Sequence, residues 1–365
     1  MKFIPVAEPK LGKKELEYVT NCIKTNWISS QGKYVGEFER KFSSYCGVRH
    51  GVAVSNGTVA LHLALAALGI KKGDEVIVPN FTFIAPVNAV TYTGAKPVFV
   101  DSDKKTWNID TNKIEEKITE KTKAIIPVHL YGHPCDMGPI MKIAKKHHLF
   151  VIEDCAEAHG AEYKGKKVGS FGDIGCFSFF GNKIITTGEG GMCITNNKKL
   201  ASKMDMLRDH GMNKKRAYWH PIIGFNYRMT NLQAAIGVAQ LEKIDNIIKI
   251  KRKNAQFYNS LLKNVKGITL PPEEKYAKNV YWMYSILIQD DFPISRDKLI
   301  TKLKEKKIDS RPFFNPVTSM PPYKSNEKFP VAKELSRKGI NLPSSANLTK
   351  NDIERIASVL TSVKK

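Results

Sequence analysis

Residues 175–194, GCFSFFGNKIITTGEGGMCI, hold one lysine, Lys183, between two short apolar runs, with Gly181, Gly188, Gly190 and Gly191 spaced around it. Apolar runs of this length predict strands of a buried sheet, and the glycines predict turns where the backbone bends sharply or passes close to a ligand. With 58 Lys plus Arg in 365 residues, the ordinary lysine of this chain is a solvated surface cation. Lys183 differs in its setting. Apolar surroundings disfavour the ammonium form, which leaves an amine able to attack a carbonyl and form a Schiff base.

Upstream, LFVIED predicts a strand that delivers Asp154 where a parallel strand leaves its sheet, with Glu157 and His159 following in EDCAEAHGA. A carboxylate placed there is costly unless paired, and a protonated ring nitrogen is a suitable partner. Further back, HGVAVSNGTVALHLALAAL predicts a strand, a glycine turn and an apolar helix. The start of that helix offers free N–H groups and the positive end of its dipole to a phosphate, with Gly57 allowing close approach and Thr58 adding a hydroxyl. Ser-Asn-Gly-Thr is equally a good helix cap. After the strand DEVIVP, Phe83 lies near the start of the next helix and suits stacking on a flat ring or packing in the core. A lysine, a buried carboxylate, a phosphate cradle and a flat side chain are together what a pyridoxal phosphate site needs.

The pattern continues as strand PVFVD, a helix near Lys113, strand AIIPVH and helix MGPIMKIAKKHH. Strands alternating with helices predict an α/β protein with a mainly parallel sheet covered on both faces, its ligand beyond the carboxyl ends of the strands. His129 and His133 in PVHLYGHP resemble a metal pair, but no third ligand is evident and no metal is assigned.

These stretches in this order (SNGTVALHLAL, GDEVIVPNFTF, GAKPVFVD, TKAIIPVHLYG, VIEDCAEAHGA, FSFFGNKIITTGEGGM and GFNYRMTNLQAA) resemble the DegT/DnrJ/EryC1/StrS family of pyridoxal phosphate-dependent nucleotide-sugar aminotransferases. The resemblance implies fold type I, the aspartate aminotransferase-like fold, and a homodimer with active sites shared across the interface. It makes Lys183 the Schiff-base lysine and Asp154 the partner of the pyridine nitrogen. It places Gly57, Thr58 and Ser178 on the phosphate, Phe83 against the ring, Glu157 where relatives often have glutamine, and Asn226 on the phosphate from the partner subunit. One branch of the family carries histidine in place of the lysine and dehydrates sugars; Lys183 argues against it. RPFF, PVAEP, NWISSQG and EDCAEA look most like the branch that makes GDP-perosamine from GDP-4-keto-6-deoxymannose and glutamate, with Trp27, Ser29, Arg228, Arg311 and Phe313 as candidate substrate contacts. Asn315 stands where a bulkier residue is expected. The same chemistry on a UDP- or dTDP-linked keto sugar, or a pyridoxal phosphate dehydratase or lyase, are the alternatives.

Residues 12–26 and 34–45 have helical apolar spacing around the turn WISSQG. Beyond Arg228, one or two long helices lead into strand VYWMYSILI, helix RDKLITKLKEK and a last helix, LTKNDIERIASVL, which divides the chain into a large domain over 1–245 and a smaller α+β domain over 246–365. A hydrophobic content of 42% with 25% charged residues is that of a globular protein. The net charge of +23 raises nucleic acid as a partner, but the lysines are dispersed over helix faces, which fits a solvated surface that attracts an anionic substrate. Six cysteines without a C-x-x-C pair fit buried thiols in a reducing compartment, and MKFIPVAEPKLGKKELEY lacks the apolar run of a signal peptide, so a cytoplasmic location is expected. The uncharged stretch from Gly51 to Ile70 is long enough for a membrane span, but Ser55–Thr58 and His62 make it a strand, turn and buried helix instead.

Overall fold

The computed structural model describes residues 2–363. Two helices open the chain, α1 (Lys13–Lys24) and α2 (Lys33–Tyr45); α2 turns Tyr34, Val35, Phe38 and Phe42 inward. Strand β1 (His50–Val54) then leads through Asn56 into α3 (Gly57–Leu68). The Asn56 side chain accepts from the Val59 N–H and starts the helix, and Gly69 in the left-handed region (φ 82°) ends it. Alternation follows as β2 (Glu75–Pro79), α4 (Ala85–Tyr92), β3 (Lys96–Val100), β4 (Thr122–Ile125), α5 (Met137–Lys146) and β5 (Phe150–Asp154). The helix expected near Lys113 is instead two short 3₁₀ turns, Thr111–Lys113 and Glu115–Lys117. The first is begun by the Asp110 carboxylate accepting from the Asn112 N–H, the second has no side-chain cap, and no sustained apolar stripe extends them.

Two short strands, β6 (Glu162–Tyr163) and β7 (Lys166–Lys167), precede β8 (Ile174–Ser178), β9 (Gly191–Thr195), α6 (Lys198–Arg208), α7 (Asn231–Leu241) and α8 (Ile244–Leu262). The main sheet has the order β1-β9-β8-β5-β4-β2-β3. Pairs β2/β3, β2/β4, β4/β5 and β5/β8 are parallel, while β9 runs antiparallel to both β1 and β8, with Cys176 opposite Cys193. The sheet is thus mixed and mostly parallel, as expected, with helices on its faces.

The rest comprises β10 (Ile268–Thr269), β11 (Ala277–Lys278), β12 (Tyr284–Ile288), α9 (Arg296–Glu305), β13 (Arg311–Pro312), α10 (Pro330–Lys338), β14 (Gly339–Leu342) and α11 (Lys350–Thr361). An antiparallel sheet of order β10-β12-β14-β13 forms here, while β11 joins β6 and β7. Helix α8 serves two cores: Ile244, Ile247 and Ile248 pack with the main sheet, and Ala255, Tyr258 and Leu262 pack with Tyr284, Leu299, Ile340 and Ile356. Ile4 belongs to this second core, because residues 4 and 308 form a parallel bridge that returns the start of the chain to it. All six cysteines are free and buried. Among the described residues no helix is long and apolar enough to cross a membrane, and Gly51–Ile70 folds as β1, a turn and α3.

Candidate active site

The carboxyl ends of β2, β4, β5 and β8 open onto one cavity of about 630 Å³. Lys183 enters it from the connection between β8 and β9. This loop is held by Phe179 donating to Gly190 O, Thr187 N donating to Phe179 O, and the Lys183 N–H donating to Phe180 O (3.0 Å). The apolar run after the lysine, Ile184 and Ile185, is buried but is not a strand; the second strand starts only at Gly191. A Cβ at position 191 would collide with the Asn56 carbonyl, so glycine is required for β9 to pass under the start of α3.

The cradle beside α3 is equally constrained. A Cβ on Gly57 would lie 2.6 Å from the Ser178 Cβ, so the helix start and the end of β8 touch only because this residue is glycine. Asn56, Gly57, Thr58 and Ser178 all face the cavity. The first N–H groups of α3 therefore point to a concave polar site, which suits an anion.

Asp154 is buried, its carboxylate accepts from the Ala156 N–H (3.0 Å), and it forms no ion pair among the described residues. Burial raises its pKa, partly opposed by that N–H and by Lys183. A sequestered carboxylate without a cationic partner fits a protonated ring nitrogen. Glu157 lies beside it, accepts from the Tyr131 N–H (2.7 Å), and is raised by burial against the pull of Lys183. Lys183 itself is lowered by burial and pulled back up by Glu157 and Asp154. For Lys183 burial outweighs the two carboxylates, which leaves its pKa below that of an exposed lysine. Phe83 is 53% exposed and faces the cavity, available to a ring.

Other expected contacts are placed differently. Phe313 is buried at 3% exposure, packed on Gly339 and against Tyr131, and it is Phe314 that reaches the cavity. Just after β13 the two adjacent phenylalanines part, Phe313 into the core and Phe314 to the cavity. Arg311 pairs with Asp309, and Arg228 pairs with Asp209; neither lines the cavity of its own chain. Trp27 is 55% exposed rather than packed, and Trp27, Ser29 and Asn226 also lie outside that cavity. Sequence reasoning missed Trp282, Tyr92, Phe180 and Asn182, which do line it. Asn182 and Phe180 adjoin the lysine and were within reach of the motif, whereas Trp282 lies a hundred residues away in a run whose only signal is a strand.

His129 and His133 do not converge on one site. His129 meets Glu153 and Cys155 in a buried cluster whose candidate ligand atoms lie within 4.8 Å of one another. These lone pairs have protein partners: Glu153 accepts from the N–H groups of Gly169, Phe171 and Gly172 (2.7–2.8 Å) and from His129 Nε2 (3.2 Å). The Cys135 N–H donates to His129 Nδ1 (3.0 Å), which puts the imidazole proton on Nε2. The cluster ties the loop after β7 beneath the cavity.

The family model for the DegT/DnrJ/EryC1/StrS aminotransferases matches residues 9–361. The chain belongs to this aminotransferase family. Among relatives of this family, the chain is 51% identical over 363 residues to a GDP-perosamine synthase of Caulobacter vibrioides, covering 99% of this chain and 98% of that one. It is 53% identical over 355 residues to the GDP-perosamine synthase of Escherichia coli O157:H7, covering 97% and 96%. The Streptococcus pneumoniae protein Spr1654, solved in its PLP form, superposes with a TM-score of 0.94 at 27% identity, covering 99% of this chain and 98% of that one. Fold type I, expected from the motifs, is the fold observed.

Proposed function

We propose that this chain is a pyridoxal phosphate-dependent aminotransferase that moves the amino group of glutamate to the C4 carbonyl of GDP-4-keto-6-deoxymannose, giving GDP-perosamine and 2-oxoglutarate. The observation that carries the chemistry is the meeting of Lys183 with the unpaired carboxylate of Asp154 in one cavity. The nucleotide and sugar rest on the likeness to two GDP-perosamine synthases along nearly the whole chain.

Pyridoxal phosphate, when bound, supplies an aldehyde that condenses with amines and a ring that takes up the electron pair released at a neighbouring carbon. Asn56, Gly57, Thr58 and Ser178 hold its phosphate at the start of α3. Asp154 would keep a proton on the ring nitrogen, and Phe83 and Glu157 would hold the ring. Lys183 Nζ accepts the α-proton of the amino donor in the first half-reaction and delivers a proton to the sugar C4 in the second, a task suited to an amine whose pKa is lowered by burial.

The working unit is a homodimer. Among the described residues lining the cavity, Lys183 is the one cation against Asp154, Glu157 and Glu189. A phosphate and a nucleoside diphosphate call for further donors, and Asn226 of the partner subunit is assigned as one of them. Exposed apolar side chains, Trp219 (49%) and Ile223 (93%) on the loop that carries Asn226 and Trp27 (55%) in the turn between α1 and α2, suit burial between protomers.

The test is amination by the full-length protein with pyridoxal phosphate and glutamate, read by mass spectrometry on a panel of GDP-, UDP- and dTDP-linked 4-keto-6-deoxy sugars. The GDP substrate should turn over fastest. Faster turnover of a UDP or dTDP substrate would overturn the substrate assignment, and no amine from any of them the reaction itself.

A further inference from the structure

Trp282 lies two residues before β12, in the wall of the cavity, and is 6% exposed. Two parts of its side chain contact the same two-residue unit from different directions. The indole Nε1–H donates to the carbonyl oxygen of Asn182 (2.8 Å), the peptide group that immediately precedes Lys183. The ring face lies 3.8 Å from Lys183 Nζ. Trp282 is itself fixed, since its backbone carbonyl accepts from the Ser344 hydroxyl (3.1 Å) and its ring stacks on Tyr131 (6.2 Å between centroids, 17° between planes). Tyr131 in turn donates its N–H to Glu157. A segment of the second half of the chain thereby grips the reactive lysine at both its backbone and its tip.

We propose that Trp282 is a positioning residue for Lys183, its N–H fixing the backbone before the lysine and its π-face holding the free ammonium when the lysine is not joined to the cofactor. This rests on the reading of Lys183 as the amine that joins the cofactor. The physical reason is the need for two protonation states at one nitrogen. Burial favours the neutral amine, and a carboxylate in direct contact would trap the cation; Asp154 and Glu157 face other tasks. An aromatic face attracts an ammonium electrostatically without offering it a proton acceptor, so it steadies the charged form and still lets the proton go.

The test uses the full-length protein loaded with pyridoxamine 5′-phosphate, in which Lys183 is free. Its titration is read from the pH dependence of labelling by a small acylating reagent, with the peptide carrying Lys183 quantified by mass spectrometry. Replacing all tryptophans biosynthetically with fluorinated analogues weakens the ring quadrupole while keeping shape and N–H. The Lys183 pKa should fall stepwise as fluorines are added. Trp282→Met should lower it by about 0.4–1.5 units, the range that corresponds to the worth of a cation–π contact, and Trp282→Phe should recover most of that shift. A pKa that stays put under fluorination overturns the proposal, whether or not the methionine variant folds. So does a methionine variant that folds less stably yet titrates as the wild type, because a merely structural tryptophan behaves that way. No sugar acceptor takes part, so failure of the GDP-sugar assignment and failure of this proposal are read separately.

Discussion

Replacing Gly57 with alanine tests the phosphate cradle through its tightest contact. The added Cβ would sit 2.6 Å from the Ser178 Cβ and 3.2 Å from its Cα, whereas carbon atoms rest at about 3.5–4.0 Å. Because the second atom is backbone, a rotamer change cannot relieve the overlap, and either α3 or the end of β8 must shift. Overpacking of this kind costs roughly 1–3 kcal/mol. Taken at the cradle, that is a loss in pyridoxal phosphate affinity of about 5- to 150-fold, since each 1.4 kcal/mol is a factor of ten. The assay is the cofactor's dissociation constant from absorbance titration of the apoprotein. Ser178→Gly removes the Cβ that obstructs, although it also removes a hydroxyl donor and so weakens binding by itself. The double variant should therefore regain most of the cost of Gly57→Ala relative to the Ser178→Gly variant, the remainder being the 3.2 Å contact with the Ser178 Cα that the glycine keeps. If the two changes instead add to within about 0.5 kcal/mol, as independent sites do, or if Gly57→Ala binds the cofactor normally, the close approach of α3 and β8 is not what shapes the site.

Asp154→Asn removes the charge but keeps the shape, and should lower the rate of both half-reactions by at least about tenfold, the worth of a hydrogen bond to a charged group; stopped-flow absorbance with glutamate alone checks it. Co-expressing Lys183→Ala and Asn226→Ala chains with separate affinity tags should yield mixed dimers more active than either parent dimer, because one of the two sites then has both residues intact. Lys251 is buried in α8, bonded to the Ser344 carbonyl, and burial lowers its pKa to about 7. The unfolded chain therefore holds the extra proton between about pH 7 and 10.4, so stability rises with pH across that window and is lowest below it. From pH 7 to 9 the gain is about 2 kcal/mol, and thermal melts of Lys251→Met at the two pH values should lack the increase seen in the wild type.

The alternation of strands and helices was legible because each element carries its own signal. LFVIED is a run of apolar residues closed by acids, and GTVALHLALAAL is apolar on all sides because α3 is covered on all sides, with Ala60, Leu61, Leu63, Ala64, Leu65 and Ala67 all at or below 2% exposure. The lysine motif and the SNGT turn are local too, so Lys183, Asp154, Gly57, Thr58, Ser178, Phe83 and Glu157 could be chosen from the sequence, and the fold brings them to one cavity. The two 3₁₀ turns near Lys113 were not legible, because a single Asx-type contact at Asp110 competes there with a weak helical pattern.

What the sequence by itself determined is the class of fold, from alternating apolar runs, and, through the resemblance of short motifs, the family and the residues around Lys183. Only the tertiary structure decided which of Phe313 and Phe314 faces the cavity, that Arg228 is held by Asp209 and Arg311 by Asp309, and that Trp282 lies across Lys183. The reason is physical: the placements of Phe314 and Trp282 depend on how β12 and the loop after β13 dock against the main sheet, and a contact between residues a hundred positions apart leaves no periodicity in either partner, while the two arginine pairs depend on side-chain directions that spacing does not encode.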